Sequence, residues 1–401
     1  MRASIGRAGD GYSPEKSVER SILLMAARAC LDGETPREAS GLLAGPVDWD
    51  WIVRRAEAER LGAVLYAVVS RLSIPAGIRD HFGVARASGR RQYLLGAQQI
   101  TKVLSEFERD GVPMIPLRGP ALAELLYRDP SLRPFTDLDL LVREADLPRA
   151  LHLLARLGYR HLEGGRSLSH ELAWRHAASF MPGRPDELPI DLHWGLVDYP
   201  GIAPTTAVHH QELWDRAVRV ETSGGACLGL CPEDLLIYLA LHWAIHHALA
   251  GLGWELDLAL LIRRGGDAWN WEVLAERARR WQIRRAIFYA LREVRERFEV
   301  AIPPWFLARL RPAGPRCILL DWLRHRGEEC MERLDYLIPL LVMDRACDIL
   351  RALSGAVLPP ASWLRCRYGK PSAFSAYLTH WARIGSACAR TARASLGRAH
   401  R

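Results

Sequence analysis

Val112-Pro113-Met114-Ile115-Pro116-Leu117-Arg118-Gly119-Pro120-Ala121-Leu122-Ala123 leads, through a short connection, into Leu132-Arg133-Pro134-Phe135-Thr136-Asp137-Leu138-Asp139-Leu140-Leu141-Val142. The apolar run Val112–Leu117 has the length of a strand. Pro120 suits the first position of a helix, where its missing N–H would be unpaired anyway, and a helix is predicted over Pro120–Tyr127. Arg128-Asp129-Pro130-Ser131 is turn chemistry. Thr136–Val142 reads as a second strand, and Asp146–Leu157 as a helix closed by Gly158-Tyr159. After a less regular stretch containing Gly164-Gly165, Ile190-Asp191-Leu192-His193-Trp194 is a further strand. Strands alternating with short helices make the middle of the chain α/β.

The flanks are helical. Pro14–Leu31 and Trp49–Leu72 carry apolar residues at helical spacing, and a longer helix is expected from about His81 to Asp110 despite Gly83, Gly89 and Gly96. Val218–Glu221 and Ala226–Leu230 form a hairpin around Ser223-Gly224-Gly225. Helices are then expected over Pro232–Leu249, Leu256–Arg264, Trp271–Arg279 and Arg284–Phe298, with more beyond Pro303-Pro304. Trp269, Trp271 and Trp281 are read as core residues. Four units follow: a helical region over 1–95, an α/β core over 96–215, a helical domain over 216–310, and a C-terminal helical region with a basic tail over 311–401. The fold class is α+β.

With 49% hydrophobic and 25% charged residues among 401, the chain is neither globally disordered nor repetitive. No apolar run reaches the ~18 residues of a membrane span, and Met1–Asp10 lacks the apolar core of a signal peptide, so a cytoplasmic protein is expected. The eight cysteines are scattered, which favours reduced thiols over a zinc site. Only Lys16, Lys102 and Lys370 supply lysine to a net charge of +8. Five arginines and no acid occupy residues 382–401; this reads as a solvated tail, and nucleic acid is not an expected partner.

Asp137 and Asp139 lie two apart on a predicted strand, so both carboxylates share one face, roughly 6.5–7 Å apart along the axis. Such a pair can hold a divalent cation. Asp191, on another strand, is a third candidate. Arg118-Gly119, at a strand-to-helix turn, allows a phosphate to approach the backbone. Three carboxylates, a glycine turn and an arginine suit phosphoryl chemistry. His242 and His246 stand at i and i+4 with His247 and Asp257 nearby, a spacing that can bind a metal or serve packing.

The two quoted segments resemble the uncharacterised nucleotidyltransferase family of bacteria, within the polymerase-β-like nucleotidyltransferase superfamily. The similarity extends over about residues 15–300. It includes Arg118-Gly119, the helix ending in Tyr127, Arg133 before the Asp-x-Asp strand, Gly158-Tyr159, Asp191–Trp194, Pro232-Glu233-Asp234, His242, His246 and Leu256-Asp257-Leu258. The resemblance implies a small mixed sheet carrying the site, with Asp137 and Asp139 binding one or two Mg²⁺ ions and through them a nucleoside triphosphate. Asp191 would complete the metal site and assist deprotonation of the acceptor. Arg118 and Gly119, with Arg133 and Thr136, would contact phosphate or position it, and His193, His242 and His246 would stand behind the ligands. The reaction implied is transfer of a nucleoside monophosphate, with ATP the favoured donor, to a small-molecule or protein acceptor, releasing pyrophosphate. The sequence departs from the pattern twice: Arg118 replaces the usual lysine, and Pro120 removes a backbone donor at the turn. These departures leave an alternative, a catalytically silent relative that binds nucleotide or a partner. A metal hydrolase on His242, His246 and Asp257 is a third reading. The sequence specifies neither the acceptor, nor which nucleoside triphosphate is used, nor an oligomeric state.

Overall fold

The computed structural model describes residues 17–33, 41, 45–70, 72, 74–162, 168–198, 208–325 and 337–396, with the side chains of 17, 325 and 387–396 excepted. Gly164-Gly165 and most of the basic tail's side chains lie outside these residues. The architecture is α+β. Five strands form one mixed sheet in the order β1-β2-β5-β4-β3: Met114–Pro116 (β1), Leu138–Val142 (β2), Arg160–His161 (β3), Ala177–Met181 (β4) and Ile190–His193 (β5). β2 runs antiparallel to β1 and parallel to β5, while β4 is antiparallel to both β5 and β3. Val218–Thr222 (β6) and Gly225–Gly229 (β7) make a separate hairpin.

β2 explains the layering. All five of its residues are buried, as expected of a strand covered on both sides. Leu138, Leu140 and Val142 join Ile100, Val103 and Phe107 of the long helix Ala76–Arg109 in one core. The intervening Leu141 joins a second, larger core with Ile115 and Leu117. That larger core also takes in residues of the N-terminal helices and of the helices after residue 230. Since alternate residues face opposite sides, Asp139 points with Leu141 towards the helical regions. Trp269, Trp271 and Trp281 are buried in the larger core.

The elements differ from the sequence expectations at several places. The second N-terminal helix is two, Trp49–Ala58 and Gly62–Val69, separated where Arg60 adopts a left-handed φ of 62°. The long helix begins five residues before His81 and passes unbroken through residues 95 and 96. Helix Pro232–Leu241 stops eight residues before Leu249; a π-helical turn, His242–His246, follows, and Ala248 and Leu249 are left-handed at φ 52° and 57°. β3 and β4 are additional strands. β2 starts at Leu138, so Asp137 sits in the bend just before it rather than on the strand.

The glycines of the long helix have a packing role. A Cβ at Gly89 would lie 2.6 Å from the Ser131 backbone oxygen, and one at Gly96 2.6 Å from the Phe135 ring. Their absence lets the segment leading to Asp137 lie directly on the helix. Gly→Ala inside a helix ordinarily stabilises by about 1 kcal/mol. Here a backbone carbonyl blocks the methyl, so Gly89→Ala is expected to destabilise by about 1–3 kcal/mol, measurable by urea denaturation. A gain in stability would mean that the turn at Ser131 yields freely. Among the described residues no helix is long and apolar enough to cross a membrane. Cys227, Cys231 and Cys317 are buried free thiols, and Cys347 is exposed.

Candidate active site

Two turns build the site. At the end of β1, Gly119 takes φ 68° and ψ −140°, a region open to glycine, and a Cβ there would press 3.4 Å from the Asp137 carbonyl oxygen. The Leu117 N–H donates to the Asp139 carbonyl at 2.9 Å. The Arg118-Gly119 turn therefore lies against the start of β2. On the other side, Asp191 is the register partner of Asp139 across the parallel pair β2–β5, so both carboxylates leave the same face. Asp137 joins them from the bend before β2, and Thr136 beside it is exposed.

Asp139 is the most buried of the three, at 1% exposure. Its carboxylate accepts from the Arg118 guanidinium and lies 3.1 Å from His193 Nε2. Burial raises its pKa, but the Arg118 charge outweighs this and holds Asp139 well below the usual carboxylate range. Asp137 behaves oppositely. Burial and the neighbouring Asp139 charge push it up to about 6, with Asp191 adding to the rise and Arg118 and Arg60 opposing it. For His193, burial favours the neutral ring, and the Asp139 contact reverses that and raises its pKa.

Arg118 also meets His242 Nε2, whose ring lies 5.0 Å centroid to centroid from His246. His247 Nε2 is 3.0 Å from His242 Nε2, and its ring stacks on Trp254 at 4.2 Å. Burial, reinforced by Arg118, holds His242 well below its ordinary pKa, His246 at about 4 and His247 at about 2. These three rings are neutral around pH 7. A π-helical turn places them, a local geometry often found at functional sites.

Arg133 sits apart from this group. It is buried in a forked pair with Asp257, with contacts of 2.9–3.0 Å, and Tyr127 Oη donates to the same carboxylate at 2.8 Å. Asp257 is thus engaged with Arg133 and Tyr127, not with His242 and His246.

The donor set suits a hard cation. Three carboxylates lie together at one face of the sheet, and the mutual repulsion at Asp137 is what a divalent ion would relieve. Arg118 and His193 now use one Asp139 oxygen, while His193 Nδ1 and Arg118 Nε are buried without a hydrogen-bond partner. Among the described residues no three His, Cys, Asp or Glu side chains are set to hold a metal ion as they stand. Coordination would require Asp139 to share its oxygens.

The sequence profile of the family described as uncharacterised nucleotidyltransferase matches residues 45–299, more than half of the chain. The chain belongs to the uncharacterised nucleotidyltransferase family. A general role in nucleotidyl transfer comes with that membership. No curated protein matches the chain. The matched span contains Asp137, Asp139, Asp191, Arg118, Gly119, His193, His242 and His246. It also contains Arg60, His247 and Trp254, which reading the sequence did not assign to the cleft. His247 and Trp254 carried a weak signal as neighbours of His246 and Asp257; Arg60 carried none.

Proposed function

We propose that the protein is a Mg²⁺-dependent nucleotidyltransferase acting on a small-molecule or protein hydroxyl or amine. The observation that carries this reading is the register of Asp139 against Asp191, with Asp137 and the Gly119 turn beside them. Asp137, Asp139 and Asp191 would hold Mg²⁺, which when bound supplies neutralisation of phosphate charge. Gly119 leaves room for a phosphate at the turn. Arg118 exchanges part of its contact with Asp139 for a phosphate oxygen. Asp191 accepts the proton of the acceptor as its oxygen or nitrogen bonds to the α-phosphorus and the bond to the β-phosphate bridging oxygen breaks, releasing pyrophosphate. His242, neutral against Arg118, steadies the guanidinium without adding charge.

Calorimetry with ATP, GTP, CTP and UTP, with and without Mg²⁺, tests the reading. Binding that needs Mg²⁺ and is lost in Asp137→Asn supports it. Well-folded protein that binds no nucleotide would favour the silent-relative reading, in which the Arg118–Asp139 pair permanently withholds a metal ligand.

Asp137 gives a separate expectation. Its folded pKa is raised, so the stability it contributes is fully present below about pH 4 and is lost as pH rises through about 6. At pH 7.5 without Mg²⁺, Asp137→Asn is therefore expected to be more stable than the wild type, on the order of 1–2 kcal/mol after solvent screening. The difference should vanish at pH 4, and saturating Mg²⁺ should stabilise only the wild type. Thermal melts under these conditions decide it, and a variant less stable than wild type at pH 7.5 would sink the claim.

A further inference from the structure

The Arg118 turn offers a triphosphate one guanidinium, and the structure holds a second, unassigned one. Two guanidiniums, Arg118 and Arg60, lie over the same Trp254 ring, 5.7 Å and 4.6 Å from its centroid, and both act electrostatically on Asp137. Arg118 is bonded to Asp139 and His242. Among the described residues the Arg60 guanidinium forms no hydrogen bond or ion pair; its recorded contact is with the Trp254 ring, 4.6 Å from the centroid. Arg60 is half-buried, and burial together with Arg133 pushes its pKa below the ordinary value. A cation in that environment gains from an incoming anion.

The local backbone is built to put it there. Helix Trp49–Ala58 ends with the Leu61 N–H donating to the Ala56 carbonyl at 2.7 Å, which turns Arg60 into its left-handed conformation. That conformation disfavours any residue with a Cβ. The Glu59 carboxylate accepts from the Leu252 N–H at 3.3 Å, at the start of helix Leu252–Gly265. Gly253 packs so closely that a Cβ on it would lie 2.4 Å from the Glu59 carbonyl oxygen. The break between the two N-terminal helices is thus seated on the helix that carries Trp254. Arg60 then lines a small crevice with Trp254, Leu61, Pro134 and the Arg133–Asp257 pair.

We propose that Arg60 receives the distal phosphates of the nucleoside triphosphate, making the N-terminal helical region part of the nucleotide site. The inference rests on the nucleotidyltransferase reading for its ligand, but its residue lies outside the carboxylate cluster. Glycine at position 60 is the informative substitution, because it suits φ 62° and removes only the side chain.

Calorimetry on the full chain, in about 150 mM salt to suppress non-specific attraction, would compare wild type, Arg60→Gly and Arg60→Lys. The probes are sodium tripolyphosphate, ATP with Mg²⁺, and AMP. Arg60→Gly is expected to keep or raise the melting temperature and to weaken tripolyphosphate and ATP about 10- to 100-fold, leaving AMP within about twofold. Arg60→Lys should lie between. If folded Arg60→Gly binds tripolyphosphate and ATP as wild type does, while Asp137→Asn abolishes ATP binding, the inference fails and the nucleotidyltransferase reading stands. If wild type binds tripolyphosphate through Arg60 but no nucleotide, the oxyanion site survives and its assignment to a nucleotide is overturned. If wild type binds neither, both fall. A lower melting temperature in Arg60→Gly with unchanged binding would make Arg60 a packing residue on Trp254.

Discussion

Asp139→Ala is expected to abolish nucleotidyl transfer and to remove about 3–5 kcal/mol of stability. Asp139 is 1% exposed and holds two side chains, the Arg118 guanidinium and the His193 ring. Truncating it leaves the buried Arg118 guanidinium without its direct carboxylate partner, with the neutral His242 as its remaining hydrogen-bond contact. An uncompensated buried charge is what makes breaking such a pair so costly. Asp139→Asn should cost less, about 2–3 kcal/mol, because an amide oxygen in the place of the shared carboxylate oxygen still accepts from Arg118 and still faces His193. Activity should fall at least about a thousandfold in both, since neither side chain supplies the negative charge that would retain the cation offsetting phosphate charge. Urea denaturation and pyrophosphate release measure the two effects separately. A stable Asp139→Ala would contradict the burial of the pair. A destabilised variant retaining activity within tenfold would remove Asp139 from the reacting centre.

The same pair shows what the sequence could and could not convey. Asp137, Asp139 and Asp191 were visible because two strands and a turn announce themselves through apolar runs, and because alternation assigns a face to every second residue. The neighbours of those strands were less visible. β3 has two residues, and β4 reads Ala-Ala-Ser-Phe-Met, too rich in small residues to signal a strand. The break at Arg60 was hidden for a different reason. The nearby glycine, Gly62, belongs to the second helix and not to the left-handed position, and Arg60 itself is held by tertiary seating on Leu252 and Gly253, far away in sequence. The π-helical turn is likewise invisible to a 3.6-residue pattern, so the histidines looked like one face of an ordinary helix. Arg133 illustrates the converse limit. Its position before the Asp-x-Asp segment suggested phosphate, yet nothing local indicates that Asp257, 124 residues later, holds it.

That Arg133–Asp257 pair should prove as costly to break as the Asp139 cluster, without the chemical signature. The two side chains are only 5% and 3% exposed, and Tyr127 shares the carboxylate. Asp257→Ala strands a guanidinium and a phenol hydroxyl in the core; Arg133→Met strands a carboxylate. Each is expected to lose about 3–5 kcal/mol. The double variant Arg133→Met/Asp257→Leu removes both charges together and should recover most of the loss, leaving a coupling energy of about 2–3 kcal/mol in the cycle. ATP affinity of the double variant, measured where it is folded, should remain within about threefold of wild type. A phosphate-contacting Arg133 would behave otherwise: the double variant would regain stability and still lose nucleotide about tenfold or more. The distinction matters for the site, because the pair joins the segment just before Asp137 to the helix bearing Trp254. If stability and affinity separate as expected, Arg133 acts by fixing the segment before Asp137 against the helix that bears Trp254, and phosphate contact falls to Arg118 and Arg60.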